Sequence, residues 1–323
     1  MIFKRKKSLV VTSMLLAAAS GSFFLSGCGD DDDDENSSSM TSILTLSFTN
    51  LPPLAGGAHY EGWAIVDGSP VATGKFNISD GNIVDLDGTI IGDGKFFVAS
   101  DISSASKVVI SIEPNGDTDT IPAKTHIVSG DVSSSTAALT VDHGDALGSN
   151  FTDAEGQYLL KTPTDDDANG GPGAVDSDNE LSGVWFINAL PPAAGLTLPT
   201  LPEGWKYEGW AVTPGDNGGP LSTGTFTSAS GADDASLYSE GGPAYPGEDF
   251  LSDAPEGFTF PVNLRGGKVV VSIEPDPDDS PAPFAFKPLV GDVPTDAVSP
   301  TVYDLANEAA SNTTNVTGSA TIN

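Results

Sequence analysis

The sequence is poor in the residues that build covalent and metal-centred chemistry. It has one cysteine, Cys28, so no disulfide staples the fold from within the chain. It has three histidines, His59, His126 and His143, none in a metal-ligand spacing, and no thiol beyond Cys28 for a nucleophile or a structural zinc. Long helical periodicity is nearly absent, whereas Gly and Pro are abundant at 37 and 24 residues, a balance that suits short strands and many turns. Basic residues are scarce: 13 Lys and Arg face 45 Asp and Glu. Four of the basic ones are Lys4, Arg5, Lys6 and Lys7, so from Cys28 onward 9 basic residues stand against 45 acidic ones, a formal charge of −36. Such a surface repels nucleic acid and anionic lipid and favours solubility in a salty medium, divalent cations or basic partners.

What is present first is an address. Lys4 to Lys7 make a cationic start, Leu9 to Leu16 an apolar run continued by Ala17 to Ala19, and Phe23, Phe24 and Leu25 lead into Ser26, Gly27 and Cys28. This is the layout of a secretory signal peptide, too short and wrongly flanked for a membrane span. The run Leu25-Ser26-Gly27-Cys28 resembles the lipobox of bacterial lipoproteins, which implies cleavage before Cys28 and its acylation. More than one acyl chain is needed to hold a protein stably on a bilayer. Asp30 to Asp34, Glu35 and the polar residues that follow form an extended, solvated tether. Gly29, rather than Asp, follows the cysteine, and the acidic run resembles surface-export signals. The expected location is the cell envelope at the outer membrane, on either face, with the membrane itself as partner through Cys28.

The body contains one unit twice, in the same order over five blocks. Leu51-Pro52-Pro53, Tyr60-Glu61-Gly62-Trp63-Ala64, Thr73-Gly74-Lys75-Phe76, Lys107 to Pro114 and Gly130-Asp131-Val132 are matched by five later segments. These are Leu190-Pro191-Pro192, Tyr207-Glu208-Gly209-Trp210-Ala211, Thr223-Gly224-Thr225-Phe226, Lys268 to Pro275 and Gly291-Asp292-Val293. Gly62 and Gly209 are 147 positions apart, Glu113 and Glu274 161 apart, which places an insertion around Ser228 to Phe260, where a loop tolerates it. Lys107 to Ile112 and Lys268 to Ile273 are near-continuous apolar runs, as in strands buried on both faces, and Pro114 and Pro275 stop them. Further strands are expected at 43–49, 60–66, 71–78, 138–141, 158–162, 184–188 and 283–290; only 304–310 has a helical look. The fold class is therefore all-β: two tandem antiparallel β-sandwich domains from an internal duplication. The organisation reads as a signal peptide over 1–27, a lipidated acidic tether over 28–41, a first β domain over 42–163, an acidic linker over 164–181 and a second β domain over 182–323. Tyr158 to Thr162 fits the end of the first domain or the start of the second.

The order Tyr-x-x-Trp, Gly-x-Phe and a Val-rich strand ending in Glu-Pro resembles the extracytoplasmic C-terminal domain of anti-sigma-K factors. The residues that carry the likeness are Tyr60, Trp63, Gly74, Phe76, Glu113 and Pro114, with Tyr207, Trp210, Gly224, Phe226, Glu274 and Pro275. The resemblance implies fold more than function, because these are core types. It does not extend to direct sigma-factor inhibition, since no sigma-binding helical domain or membrane helix accompanies the units.

The expected role is non-enzymatic binding or sensing of an unknown protein or glycan, with no nucleic acid. The alternatives are an adhesin or glycan-binding protein, with Trp63 and Trp210 as stacking platforms instead of core residues, and a hydrolase with a Ser-His-Asp site. One metal motif stands out. Asp165, Asp167 and Asn169 alternate before Gly170, and Asp176 falls twelfth, a partial match to a Ca²⁺ loop; Asp276, Asp278 and Asp279 are a weaker cluster.

Overall fold

The computed structural model describes residues 42–165, 179–188, 191–215, 218–277, 280–309 and 316–323. Cys28, the signal segment and the tether lie outside them, as do Asp167, Asn169 and Asp176. Ser39–Asn323 forms one compact unit. It is built of strands, with no α-helix among the described residues and no helix long and apolar enough to cross a membrane.

Before the midpoint the strands are β1 (Ser42–Thr49), β2 (His59–Val66), β3 (Ser69–Ser79), β4 (Asn82–Val84), β5 (Lys95–Val98), β6 (Lys107–Glu113), β7 (His126–Asp131), β8 (Thr136–Thr140) and β9 (Glu155–Leu160). After it come β10 (Gly183–Trp185), β11 (Leu196–Thr197), β12 (Trp205–Val212), β13 (Pro220–Phe226), β14 (Gly247–Asp249), β15 (Lys268–Pro275), β16 (Leu289–Asp292), β17 (Val302–Asn307) and β18 (Thr317–Ile322). They form two antiparallel sheets. One runs β4-β3-β2-β6-β7-β8-β18-β1-β5, the other β13-β12-β15-β16-β17-β9-β10-β14, with β11 beside β9. Each sheet folds over on itself as a sandwich. In the first, Phe96 of β5 meets Phe76 of β3 at 5.5 Å between ring centres. In the second, the Gly247 amide of β14 reaches back to Asp233 Oδ2, just beyond β13, at 3.0 Å.

Apart from β4 and β11, the two orders are the same, strand for strand. The duplication extends to a defect in the ladder. The β2–β3 register slips between Gly62 and Trp63, and the β12–β13 register between Gly209 and Trp210, so Thr73 and Thr223 are the extra residues of two matched β-bulges. Gly74 and Gly224, next to the bulged threonines, have φ of 147° and 106°, which disfavours any side chain.

The sheets depart from the boundaries expected at 163 and 182. The strand between β8 and β1 is β18, from the far end of the chain, and the strand between β17 and β10 is β9, which follows β8 in sequence. Registers agree: Gly318 lies opposite Leu139, and Gly156 opposite Leu305. Each unit thus lends its last strand to the other. Of the stretch 158–162, ambiguous in the sequence, residues 158–160 lie in β9 and belong to the second sheet, while Lys161 and Thr162 follow its end. The reason is generic to antiparallel sheets: alternation sets which face a strand buries, not which edge it joins.

Other expectations are corrected. Residues 302–307 form β17, not a helical segment; Leu305 is buried where its neighbours are not. The strand expected over 283–290 starts only at Leu289, after Pro283 and Pro288, which cannot donate to a ladder. The strand expected over 184–188 is β10, shortened to Gly183–Trp185. The inserted length lies chiefly in 250–267 between β14 and β15, where 99–106 suffice between β5 and β6. Leu198-Pro199, not Leu190-Pro191-Pro192, takes the place of Leu51-Pro52. The Tyr60 hydroxyl donates to Pro52 O at 2.8 Å and the Tyr207 hydroxyl to Pro199 O at 2.7 Å, each eight residues back. Tyr60→Phe and Tyr207→Phe should each lower the unfolding free energy by about 0.5–1.5 kcal/mol in denaturant titration, equally in the two units; a null effect in both would show that these bonds are offset by water in the unfolded chain.

Candidate functional site

Strands β2 and β6 are buried on both faces, and the two faces differ in chemistry. Tyr60, Ala64, Ile110 and Ile112 join the main apolar core. The opposite face carries His59 across from Glu113, Glu61 across from Ser111 and Trp63 across from Val109. All six are buried. The 114–125 loop closes over part of this face, its Ala123 amide donating to Glu113 Oε1 at 2.9 Å.

The polar groups there form a chain. Trp63 Nε1 donates to Ser111 Oγ at 2.8 Å, and Ser111 Oγ donates to Glu113 Oε1. The second unit repeats it: Trp210 Nε1 donates to Ser272 Oγ at 2.8 Å, Ser272 Oγ to Glu274 Oε1, and the Phe284 amide to the same oxygen at 2.8 Å. Trp63 is 0% and Trp210 2% exposed, so neither offers a face for a sugar to stack on. Glu113 and Glu274, at 1% exposure, tie a strand end to the loop that follows. Phe76 and Phe226 sit in the core against Tyr60 and Tyr207, at 5.4 and 5.6 Å between ring centres. Pro114 follows the last residue of β6, while Pro275 is the last residue of β15.

The two faces diverge in their cations. In the first unit Lys75 Nζ lies 3.1 Å from Asp117 Oδ2, 3.4 Å from Glu61 Oε2 and 3.0 Å from the Asp117 carbonyl. His59 lies beside them. In the second unit Lys206 stands at the position of His59, across from Glu274, and Thr225 at that of Lys75, across from Glu208. Lys206 Nζ reaches Asp234 at 2.9 Å and Asp276 at 3.6 Å. Burial, with the nearby Lys75 ammonium, pushes the His59 imidazole below its ordinary range, and burial raises the Glu61 carboxyl against the pull of Lys75. Burial alone would lower Lys75, but the bond to Asp117 and the Glu61 charge outweigh it and raise its pKa. For Asp117 burial is the largest single influence and would raise it, but the bond from Lys75, the Asp119 amide and the Lys75 charge together lower it.

A second group of carboxylates surrounds a cavity of about 200 Å³ lined by Trp185, Asp233, Ser239, Tyr245 and Glu248 among others. Glu248 Oε2 accepts the Leu237 and Tyr238 amides at 2.6 and 3.1 Å, and Ser239 donates to Oε1. Asp249 Oδ1 accepts Trp185 Nε1 at 2.7 Å, and its Oδ2 accepts the amide and hydroxyl of Thr164 at 2.8 and 2.6 Å, so the start of the expected linker is tied to β14. Asp165 accepts Asn179 Nδ2 at 3.0 Å. Burial raises Asp233 to about 7 and Asp249 to about 6 from 3.8, each against hydrogen bonds that favour the charged form. Both carboxyls bind protons more tightly when folded, so the stability they confer is present below about pH 4 and drains away as pH rises through 6 to 7. Asp233→Asn should therefore gain thermal stability relative to the parent chain between pH 4 and pH 8, read as a widening gap in Tm. A gap independent of pH would contradict the buried-acid account.

Of the residues the sequence singled out, the aromatic and Glu-Pro motifs come together as one buried polar face per unit. His126 and His143 do not join it; their rings face Asp145 and Asp131. Glu61, Lys75 and Asp117 were not among the candidates, although Glu61 and Glu208 recur inside the repeated Tyr-Glu-Gly-Trp block. No family model matches the chain, and neither a curated protein nor a solved structure does.

Proposed function

We propose that the chain is a lipid-anchored protein of the bacterial cell envelope, at the outer membrane, whose paired β units form a binding or sensing module instead of an enzyme. The observation that carries the reading is the chain's one thiol, Cys28, placed after Leu25-Ser26-Gly27 between a cationic, apolar leader and an acidic tether. Strand exchange supports the second half of it: two sheets that complete each other make a stiff body suited to presenting loops. The likeness to the outer domain of anti-sigma-K factors fits a sensing role outside the cytoplasm without contact to a sigma factor. An adhesin or glycan-binding role would have to use residues other than Trp63 and Trp210. The test is metabolic labelling of cells with an alkyne fatty acid. The chain should take up label and sediment with outer membranes, and Cys28→Ser should lose both. Unlabelled chain that still sediments would remove the anchor, and with it the proposal. Surface proteolysis and pull-down of the labelled protein then give the membrane face and the partner.

A further inference from the structure

We propose that the first unit carries a site for one transition-metal ion of borderline softness, Zn²⁺ being the reference, with His59, Glu61 and Asp117 as protein ligands. One ring nitrogen of His59 and one carboxylate oxygen each of Glu61 and Asp117 lie within 4.8 Å of one another. Bonds of about 2.0–2.2 Å to a tetrahedral ion place donors about 3.3–3.6 Å apart, so small side-chain rotations close the set.

The cluster does not stand on its acids alone. His59 is 4% exposed, and its Nε2 is buried with no hydrogen-bond partner among the described residues. A buried polar atom left in that state is costly and uncommon, and a metal ion removes the cost. One nitrogen and two carboxylates, with no thiol, suit Zn²⁺, Co²⁺ or Ni²⁺; Ca²⁺ needs six to eight oxygens.

Lys75 holds the site in the absence of the ion. Its ammonium touches both carboxylates and is a fixed positive charge where the ion would sit. The side chain is 29% exposed, so it has a route out to solvent, and metal binding displaces it. The second unit has no such exchange: Lys206 occupies the place of His59, leaving no imidazole there. The expected stoichiometry is thus one ion per chain, in the first unit only.

The experiment is equilibrium dialysis of the full chain against Zn²⁺ in the presence of excess Ca²⁺, which saturates acidic surface segments, with bound zinc counted by plasma mass spectrometry. Co²⁺ ligand-field absorption reports the coordination. The expected result is one Zn²⁺ per chain. His59→Gln and Glu61→Gln should each weaken binding at least about tenfold, the scale on which even outer-shell contacts act, and Lys75→Met should strengthen it. Lys75→Met is also the control for folding, since it gains function where damage would only lose it. No stoichiometric zinc in either the parent chain or Lys75→Met would overturn the proposal, as would zinc bound equally after His59→Gln.

Discussion

A chain cut before residue 316 is expected to lose the first sheet. Residues 317–322 pair with β1 from Leu44 to Thr49 on one side and with β8 from Thr136 to Thr140 on the other. Removing them opens two strand edges at once and splits the sheet between β8 and β1. The side chains of Val316, Ala320 and Ile322, at 1%, 1% and 7% exposure, leave the core with the strand. Val316 and Ile322 account for about 1.5–3 kcal/mol each, and the unpaired backbone of two neighbours adds to this. Against a total stability of about 5–15 kcal/mol, the truncated chain should show a lower, broader transition by circular dichroism, with hydrogen exchange speeding up in β1 and β8 before β12 and β15. The same reasoning forbids residues 42–163 from folding alone, since they hold β9, which belongs to the other sheet, and lack β18. Joining 316–323 after residue 153 through a flexible linker should rescue that fragment. If residues 42–163 fold cooperatively without it, the exchange is not required and the sheets are independent.

How far the sequence discloses this fold depends on which physical quantity is asked for. The all-β class and the duplication were legible because Lys107 to Pro114 and Lys268 to Pro275 carry burial on both faces and a proline stop in their composition alone. Strand exchange was not, because Glu155–Leu160 and Thr317–Ile322 are short and share little beyond Gly156 and Gly318. Nothing local in either tells it which neighbour to pair with. Short strands such as Gly247–Asp249 were missed for a related reason: three residues hold no measurable period. The polar face was half legible. Glu113 and Glu274 stood out through Glu-Pro, and Trp63 and Trp210 through their repetition. Their linkage through Ser111 and Ser272 needs the strand register, which pairs Glu61 with Ser111 and Glu208 with Ser272. Lys75 and Asp117 are brought to His59 only by the neighbouring strand and the 114–125 loop.

Trp63 and Trp210, the tryptophans of the repeated block, should be the most sensitive positions in the body, and equally so. Trp63→Ala or Trp210→Ala empties a fully buried indole site and should cost about 3–5 kcal/mol. Much of that is cavity, so the informative pair is Trp63→Phe and Trp210→Phe, which keep most of the apolar volume and delete the Nε1–H donor. Ser111 and Ser272 then lose the donor to their oxygens while still donating to Glu113 and Glu274, a loss of about 1–3 kcal/mol for an unsatisfied buried acceptor. Because both networks have the same partners and 2.8 Å first bonds, the two losses should agree. A cycle pairing Trp63→Phe with Ser111→Ala should show coupling of about 0.5–3 kcal/mol, whereas Trp63→Phe with Trp210→Phe should add to within about 0.5 kcal/mol. All of these are read from urea titrations of the full chain with the slope held constant. Zero coupling between Trp63 and Ser111 would mean that the indole contributes through packing alone. The repeated Trp-Ser-Glu chain would then be a by-product of duplication and not a support of either sheet.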